Sequence, residues 1–321
     1  MNSLRFSSLE ICAGSGGMAL GLERAGFDPV LLIEDNEHAC KTLHWNRRRW
    51  DVMQADVIDF DPVEHQQVYD VDLLSGGLPR VQSAATVQRP ESDREWKLLQ
   101  AAVWLAHAVQ PRAILLENVP ELVTSEKYSP VRDWIEDNLG DENYLCTWHV
   151  LDAADHGVPQ HRKQGFLVAM REPNFSKFTW PSPSGAPAPT LGAALEATMA
   201  SRGWPGAAAW AARADEPAPT LVGGSINRGG ADLGPSGQKK AWARLGVEGK
   251  SIADEVPGPD DPVDLVPRLT VRQAAILQAF PDSWVFFGKK TSVYRQIGHA
   301  SPPPVAEAVG RQIALALGTR P

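Results

Sequence analysis

The stretch ICAGSGGMALGLERAGF, Ile11–Phe27, decides the fold. It opens on the end of an apolar run, passes through a glycine-rich turn and continues as a helix. Gly14, Gly16 and Gly17 carry no Cβ, so the backbone can come close to a ligand, and the N-terminus of the helix favours a negative group such as a carboxylate. Such a turn alone is common. What gives it meaning is LLIEDN, where Glu34 closes the next apolar run at the place from which an acid accepts hydrogen bonds from ribose hydroxyls. Asp56 in QADVIDF ends the following segment and is placed beside an adenine. The candidate cofactor contacts are Cys12, Gly14, Gly16, Gly17, Glu34, Asp56, Gly76 and Leu99.

Outward from this stretch the chain keeps a regular rhythm. SLEICAG, PVLLIED, VDLLSGG, AILLENV and GFLVAM are short, continuous apolar runs of the kind buried parallel strands have, and GMALGLERAG and KLLQAAVWLAHAVQ between them have helical spacing. The alternation predicts an α/β protein with a doubly wound, Rossmann-like sheet. After about residue 173 the composition turns to Pro, Gly and Ala. Residues 174–267 read as a smaller, loop-rich inserted region, and 1–173 with 268–321 as the larger domain. TVRQAAILQAF reads as helical, and three prolines stand ahead of a final amphipathic helix. Trp204, Trp210 and Trp242 read as core anchors.

With 43% hydrophobic and 22% charged residues, the chain has the balance of a globular protein. No apolar run reaches the roughly 18 residues of a membrane span, and MNSLRFSSLEICAG lacks a cleavable signal pattern, so a cytoplasmic protein is expected. Cys12, Cys40 and Cys146 have neither metal-ligand spacing nor an even-numbered framework, which argues against a metal site and a disulfide scaffold. A formal charge of −8 excludes broad, nonspecific coating of nucleic acid, although a local basic surface remains compatible with it.

The motifs GSGG, SGGLP, LLENVPEL, HGVPQHR and YRQIGHASPPPVAEAV, in this order with one variable insert before the last, resemble the ordered series of the DNA cytosine-5 methyltransferases across nearly the whole chain. The resemblance implies the S-adenosylmethionine-dependent methyltransferase fold with a target-recognition domain, binding of S-adenosylmethionine or S-adenosylhomocysteine, and extrusion of a cytosine from duplex DNA held between the two domains. In that family a cysteine thiolate adds to C6 and makes C5 nucleophilic. Glu117 corresponds to the glutamate that acts at N3 and Arg162 to an arginine that holds the base from its O2 side.

DLLSGGLPRVQSA breaks the pattern: the residue after the loop proline is the family's cysteine, and here it is Arg80. A guanidinium stays protonated and cannot add to C6. Gln164 stands where a second arginine is usual and His299 where an asparagine is usual. Arg80, Glu117, Arg162 and His299 are therefore the residues expected at the reacting base. PAPTLVGG supplies Thr220, resembling the threonine of a recognition domain. Gln82, Ser83, Arg162, Gln164, Thr220, Asn227, Arg228, Lys239 and Lys240 are the expected DNA contacts. The expectation is a duplex-DNA-binding protein that flips a cytosine with C5 methylation absent or weak. The alternatives are thiol-independent deamination or excision of the flipped cytosine or 5-methylcytosine assisted by Glu117, and a non-catalytic recognition partner of a restriction or modification protein.

Overall fold

The computed structural model describes residues 5–80, 93–223 and 230–318. The chain divides into two compact units, Met1–Leu151 with Lys163–Ser182 and Val305–Pro321, and Asp152–Arg162 with Pro183–Pro304.

The first unit is built on a seven-stranded sheet: β1 (Phe6–Ile11), β2 (Phe27–Glu34), β3 (Val52–Gln54), β4 (Leu73–Gly77), β5 (Ala113–Asn118), β6 (Leu145–Asp152) and β7 (Lys163–Met170), in the order β3-β2-β1-β4-β5-β7-β6. Pairs from β3 through β5 are parallel, as expected. β7, which contains GFLVAM, corrects the sequence reading, since it runs antiparallel to β5. A strand buried on both faces has the same apolar run in either direction, so periodicity carries no sign of polarity. Crossovers are made by α1 (Gly17–Ala25), α2 (Glu37–Asn46), α3 (Asp93–Val109), α4 (Pro120–Thr124) and α5 (Ser129–Gly140). Leu9, Ile33, Leu74 and Leu116 of the strands form one core with Leu99 and Val103 of α3.

Local chemistry sets the helix ends. Gly16 and Gly26 flank α1 with φ of 87° and 103°, values natural to glycine. Asn36 caps α2 by accepting the His38 and Ala39 N–H groups at 3.0 and 3.1 Å.

The second unit has its own core, made by α6 (Leu191–Met199), α7 (Ala207–Arg213), α8 (Ser236–Arg244), α9 (Val271–Leu277) and α10 (Lys290–His299) around the buried rings of Trp204, Trp210 and Trp242. The region read as loop-rich thus holds three short helices, too brief for a clear helical period. Residues 268–304, assigned from sequence to the larger domain, group with this unit, because Leu269, Leu277, Val293 and Ile297 pack into the tryptophan core. Gly192 is required here: a Cβ on it would lie 2.0 Å from the Ala211 carbonyl oxygen, where α6 meets α7. α11 (Pro303–Leu317) ends the described chain, with its prolines in the first turn, where the missing N–H costs nothing. Among the described residues no helix is long and apolar enough to cross a membrane, and no group of His, Cys, Asp and Glu is arranged to hold a metal.

Asp72 fastens the start of the sheet. It is 1% exposed. Its Oδ2 accepts the Ser7 N–H at 2.8 Å, and its Oδ1 takes Arg112 Nη1 at 2.8 Å, while Arg112 Nη2 donates to the Leu317 carbonyl at 2.8 Å. Asp72→Ala leaves the partly exposed Arg112 guanidinium and the Ser7 N–H without their acceptor, and it should cost about 1–3 kcal/mol in urea-induced unfolding at pH 7.

Candidate functional site

At the carboxyl end of β1 the chain must turn away from its neighbour β4, where Ile11 pairs with Gly76. A Cβ on Gly76 would lie 2.8 Å from Ile11 Cγ1 and 3.1 Å from the Ile11 carbonyl oxygen, so only glycine permits this approach. Cys12, Gly14 and Gly16 then take φ of 50°, 55° and 87°, and Gly17 begins α1. A Cβ built on Gly14 meets no atom within 4 Å, which means that the turn faces open space.

Glu34, the last residue of β2, holds this turn. Its Oε2 accepts the Gly14 N–H at 2.7 Å and its Oε1 the Asn36 N–H at 2.9 Å. Burial pushes its pKa up to about 7, against the pull of those two hydrogen bonds. Asp56 has both oxygens engaged: Oδ1 accepts the Ile58 N–H at 3.1 Å, and Oδ2 receives Arg94 Nη1 at 2.7 Å. Arg94 also donates through Nη2 to Asp35 at 3.0 Å, joining the segments that follow β2 and β3. Arg94 belongs to no motif and was not legible in the sequence. Leu99 is 1% exposed and belongs to the core of the first unit. The open glycine turn and the carboxylate at the end of β2 fit an adenosyl cofactor.

After Gly77, the last residue of β4, the chain enters Leu78-Pro79-Arg80, and two contacts with β5 hold it. The Leu78 N–H donates to the Glu117 carbonyl at 3.1 Å, and Asn118 Nδ2 donates to the Pro79 carbonyl at 3.2 Å. A Cβ on Gly77 would stand 3.5 Å from Glu117 Oε2, which places the carboxylate beside this loop. Arg80 is exposed. Gln82 and Ser83 lie outside the described residues. Glu117 pairs with Phe166 across the β5–β7 register, so Gln164, two residues before Phe166, lies on the same sheet face as Glu117 and diagonal to it. Gln164 is 2% exposed.

In the second unit several of the sequence-selected residues are engaged within the unit itself. Arg162 is 2% exposed, and its Nη1 donates to the carbonyls of Leu221 at 2.8 Å and Gly298 at 3.0 Å. It was expected to hold a base; the structure uses this guanidinium nitrogen to bind two backbone segments together. Gln160, fully buried and not singled out from sequence, donates to the Leu277 carbonyl and to Gln278 Oε1 and accepts the Leu221 N–H at 2.6 Å. The Thr220 hydroxyl donates to the His161 carbonyl at 2.7 Å. Lys239 pairs with Asp232 at 2.8 Å, whereas Lys240 is exposed. His299 is exposed and packs on Gly223 so closely that a Cβ there would lie 2.0 Å from its Cδ2. Asn227 and Arg228 lie outside the described residues.

A family model for C-5 cytosine-specific DNA methylase matches residues 6–315. The chain belongs to this family. Relatives of this methylase-family chain include the Type II methyltransferases M.NaeI of Lentzea aerocolonigenes, 45% identical over 96% of this chain and 75% of its own, and M.NgoMIV of Neisseria gonorrhoeae, 42% identical over 98% and 99%. A solved DNA modification methyltransferase from an Escherichia coli prophage shares the fold with a TM-score of 0.65 at 21% identity, covering 96% of this chain and 98% of that one. The Spodoptera frugiperda DNMT2 structure gives 0.63 at 16%, over 96% and 99%. Members of the cytosine-5 DNA methylase family use S-adenosylmethionine, and the glycine turn with Glu34 is where this chain's residues fit it.

Arg162 tests what the second unit's buried side chains do. Arg162→Met leaves two buried carbonyls without a donor and should lower stability by about 2–4 kcal/mol in the absence of any DNA. A residue that only met a base would leave the urea unfolding curve of the free protein unchanged.

Proposed function

We propose that this methylase-family protein binds duplex DNA and the adenosyl cofactor and holds a flipped cytosine without methylating it at C5. The observation that carries this is Arg80, which occupies the nucleophile's place in a loop whose anchors, Leu78 N–H to Glu117 and Asn118 to Pro79, are intact. The scaffold is kept while the reactive atom is replaced.

No other thiol substitutes for it. Burial pushes all three cysteines up, Cys40 and Cys146 to about 12 and Cys12 further, so none is a thiolate near neutral pH. Addition to C6 would also build negative charge on the base, and a cation on the face of Glu117 would stabilise it. Gln164 is neutral. Its amide can still donate to a carbonyl oxygen such as O2, and Glu117 can still accept from the amino side of cytosine. The groups lost act in the transition state, and the groups kept recognise the ground state, which is the composition of a reader.

The exposed guanidinium of Arg80 suits a phosphate or a guanine edge beside the flipped base. The names of the curated relatives place them with Type II systems, and we infer that this chain serves as a recognition component alongside a restriction or modification protein. The cofactor, when bound, supplies a methyl donor, for which these residues provide no activated acceptor.

Nucleoside mass spectrometry after incubation of duplex DNA with S-adenosylmethionine should find no 5-methylcytosine from the wild type and a measurable amount from Arg80→Cys. Adding Gln164→Arg should raise the rate by about 10²-fold, the usual worth of one charge-stabilising donor. Methylation by the wild type, or the appearance of uracil or abasic sites, would overturn the reading.

A further inference from the structure

Beneath the glycine turn lies a second carboxyl group that no motif selects. Glu10 on β1 is 2% exposed and pairs in register with Ser75 on β4, so the two side chains stand next to each other on one sheet face. Glu10 Oε1 and Ser75 Oγ are both buried and neither makes a hydrogen bond of full geometry, although the Ser75 hydroxyl stands near enough to act on the carboxyl. The Glu10 carboxyl also accepts the Ala19 N–H, one of the first-turn donors of α1 that has no partner within the helix. The N-cap of α1 is Gly16, which has no side chain to cap with, so the sheet supplies the acceptor.

The turn is therefore held from two sides by acids: Glu34 takes Gly14 N–H before the helix and Glu10 takes Ala19 N–H inside it. The two carboxyls also feel each other's charge. Two ionised carboxylates this close would repel, and one of them is sealed from water. Ionised, Glu10 would keep Oε1 as a buried anionic oxygen without a full hydrogen bond; protonated, it avoids that cost and leaves the other carboxyl oxygen for Ala19.

We propose that Glu10 is a positioning residue for the cofactor turn that works as a neutral carboxylic acid, with Glu34 the only charged member of the pair, and that cofactor binding weakens when Glu10 loses its proton. This rests on the cofactor reading of the turn. Burial carries Glu10 up to about 8 and Glu34 to about 7. The groups facing Glu10 are Glu34 at the end of β2, the Ser75 hydroxyl on β4 and the Ala19 N–H of α1; Glu34, the charged one of these, opposes its ionisation. Because the folded carboxyl holds its proton more tightly than the unfolded one, its contribution to stability is complete below about 4.5 and is lost as pH rises towards about 8.

The test is calorimetric titration of S-adenosylhomocysteine against wild type and Glu10→Gln from pH 6 to 9.5, read as the ratio of the two affinities at each pH, so that titration of the ligand's own α-amino group cancels. Glutamine keeps an acceptor for Ala19 and a donor for Ser75 but has no proton to lose. Wild-type affinity should peak between about pH 7 and 8 and fall above it by up to about tenfold per pH unit, the limit for one linked proton. Glu10→Gln should keep the acidic fall, which belongs to Glu34, and show on the alkaline side only the change that the ligand's own amino group causes. Urea unfolding without ligand should show the wild type losing stability relative to Glu10→Gln between pH 6 and 9. Where Glu10→Gln does not fold, the infrared band of a protonated carboxyl in the wild type, titrating together with affinity, carries the same decision. A flat alkaline limb in the wild type with binding intact overturns the role of Glu10 alone, and so does the same alkaline fall in both proteins. Absence of binding at every pH overturns the cofactor reading together with this one.

Discussion

The reversal of strand order between β1 and β4 is the constraint on which the rest of the first unit depends. These two strands are neighbours, yet the chain leaves β1 towards β2 and leaves β4 towards β5. Their connections must part at the carboxyl ends, and the space opened there is where a doubly wound sheet takes its ligand. The strands come together so tightly at Ile11 and Gly76 that a single Cβ would force them apart. With that approach in place, the turn at Gly14–Gly17 falls on one side and the Gly77–Arg80 loop on the other. The placement of Glu34, Glu117 and Arg80 then follows from their being one strand end or one turn further along.

Much of this is legible in the sequence because burial and glycine geometry leave marks on composition. Continuous apolar runs reveal β1, β2, β4 and β5, and glycines clustered after a strand reveal the turn. Other features leave no such mark. β3 is three residues long and β6 is half exposed, so neither stands out as an apolar run. The polarity of β7 is invisible in GFLVAM. Whether an arginine or lysine faces solvent depends on partners far away in the chain: Arg162 is tied to Leu221 and Gly298, and Lys239 to Asp232, and motif matching cannot see these contacts. Gln164 was singled out because the residue was unusual; only the register of β5 against β7 shows that it shares a face with Glu117.

The buried acids show the same limit. Glu34 is recognisable because a strand-end acid after a glycine turn is a pattern, whereas Glu10, one residue before the end of β1, looks like an interruption of a strand. A polar residue in a run otherwise fit for the core costs free energy unless something holds it. Its persistence is explained by what lies above it, the first turn of a helix whose own N-cap is glycine. The same glycine that frees the turn for a ligand leaves the helix uncapped, and the acid beneath compensates.

The charge of the protein bears on how it can meet DNA. At −8 overall, it gains little from the general attraction between cations and phosphates, and each phosphate neutralised contributes only about −0.9 to the slope of log affinity against log salt. Several basic residues selected from the sequence are already spent on the fold: Arg162 is buried and Lys239 is paired. Arg80, Lys240 and Arg244 are exposed. On the proposed reading, discrimination would come from hydrogen bonds to bases rather than from general attraction to phosphates, contacts that select sequence more than they raise affinity. Under that reading the protein would track duplex weakly and stop where the sequence is right, with no chemical step required. A guanidinium at position 80, where the family's motif carries a thiol, fits that proposed economy, since it removes a reactive atom and adds a hydrogen-bond donor.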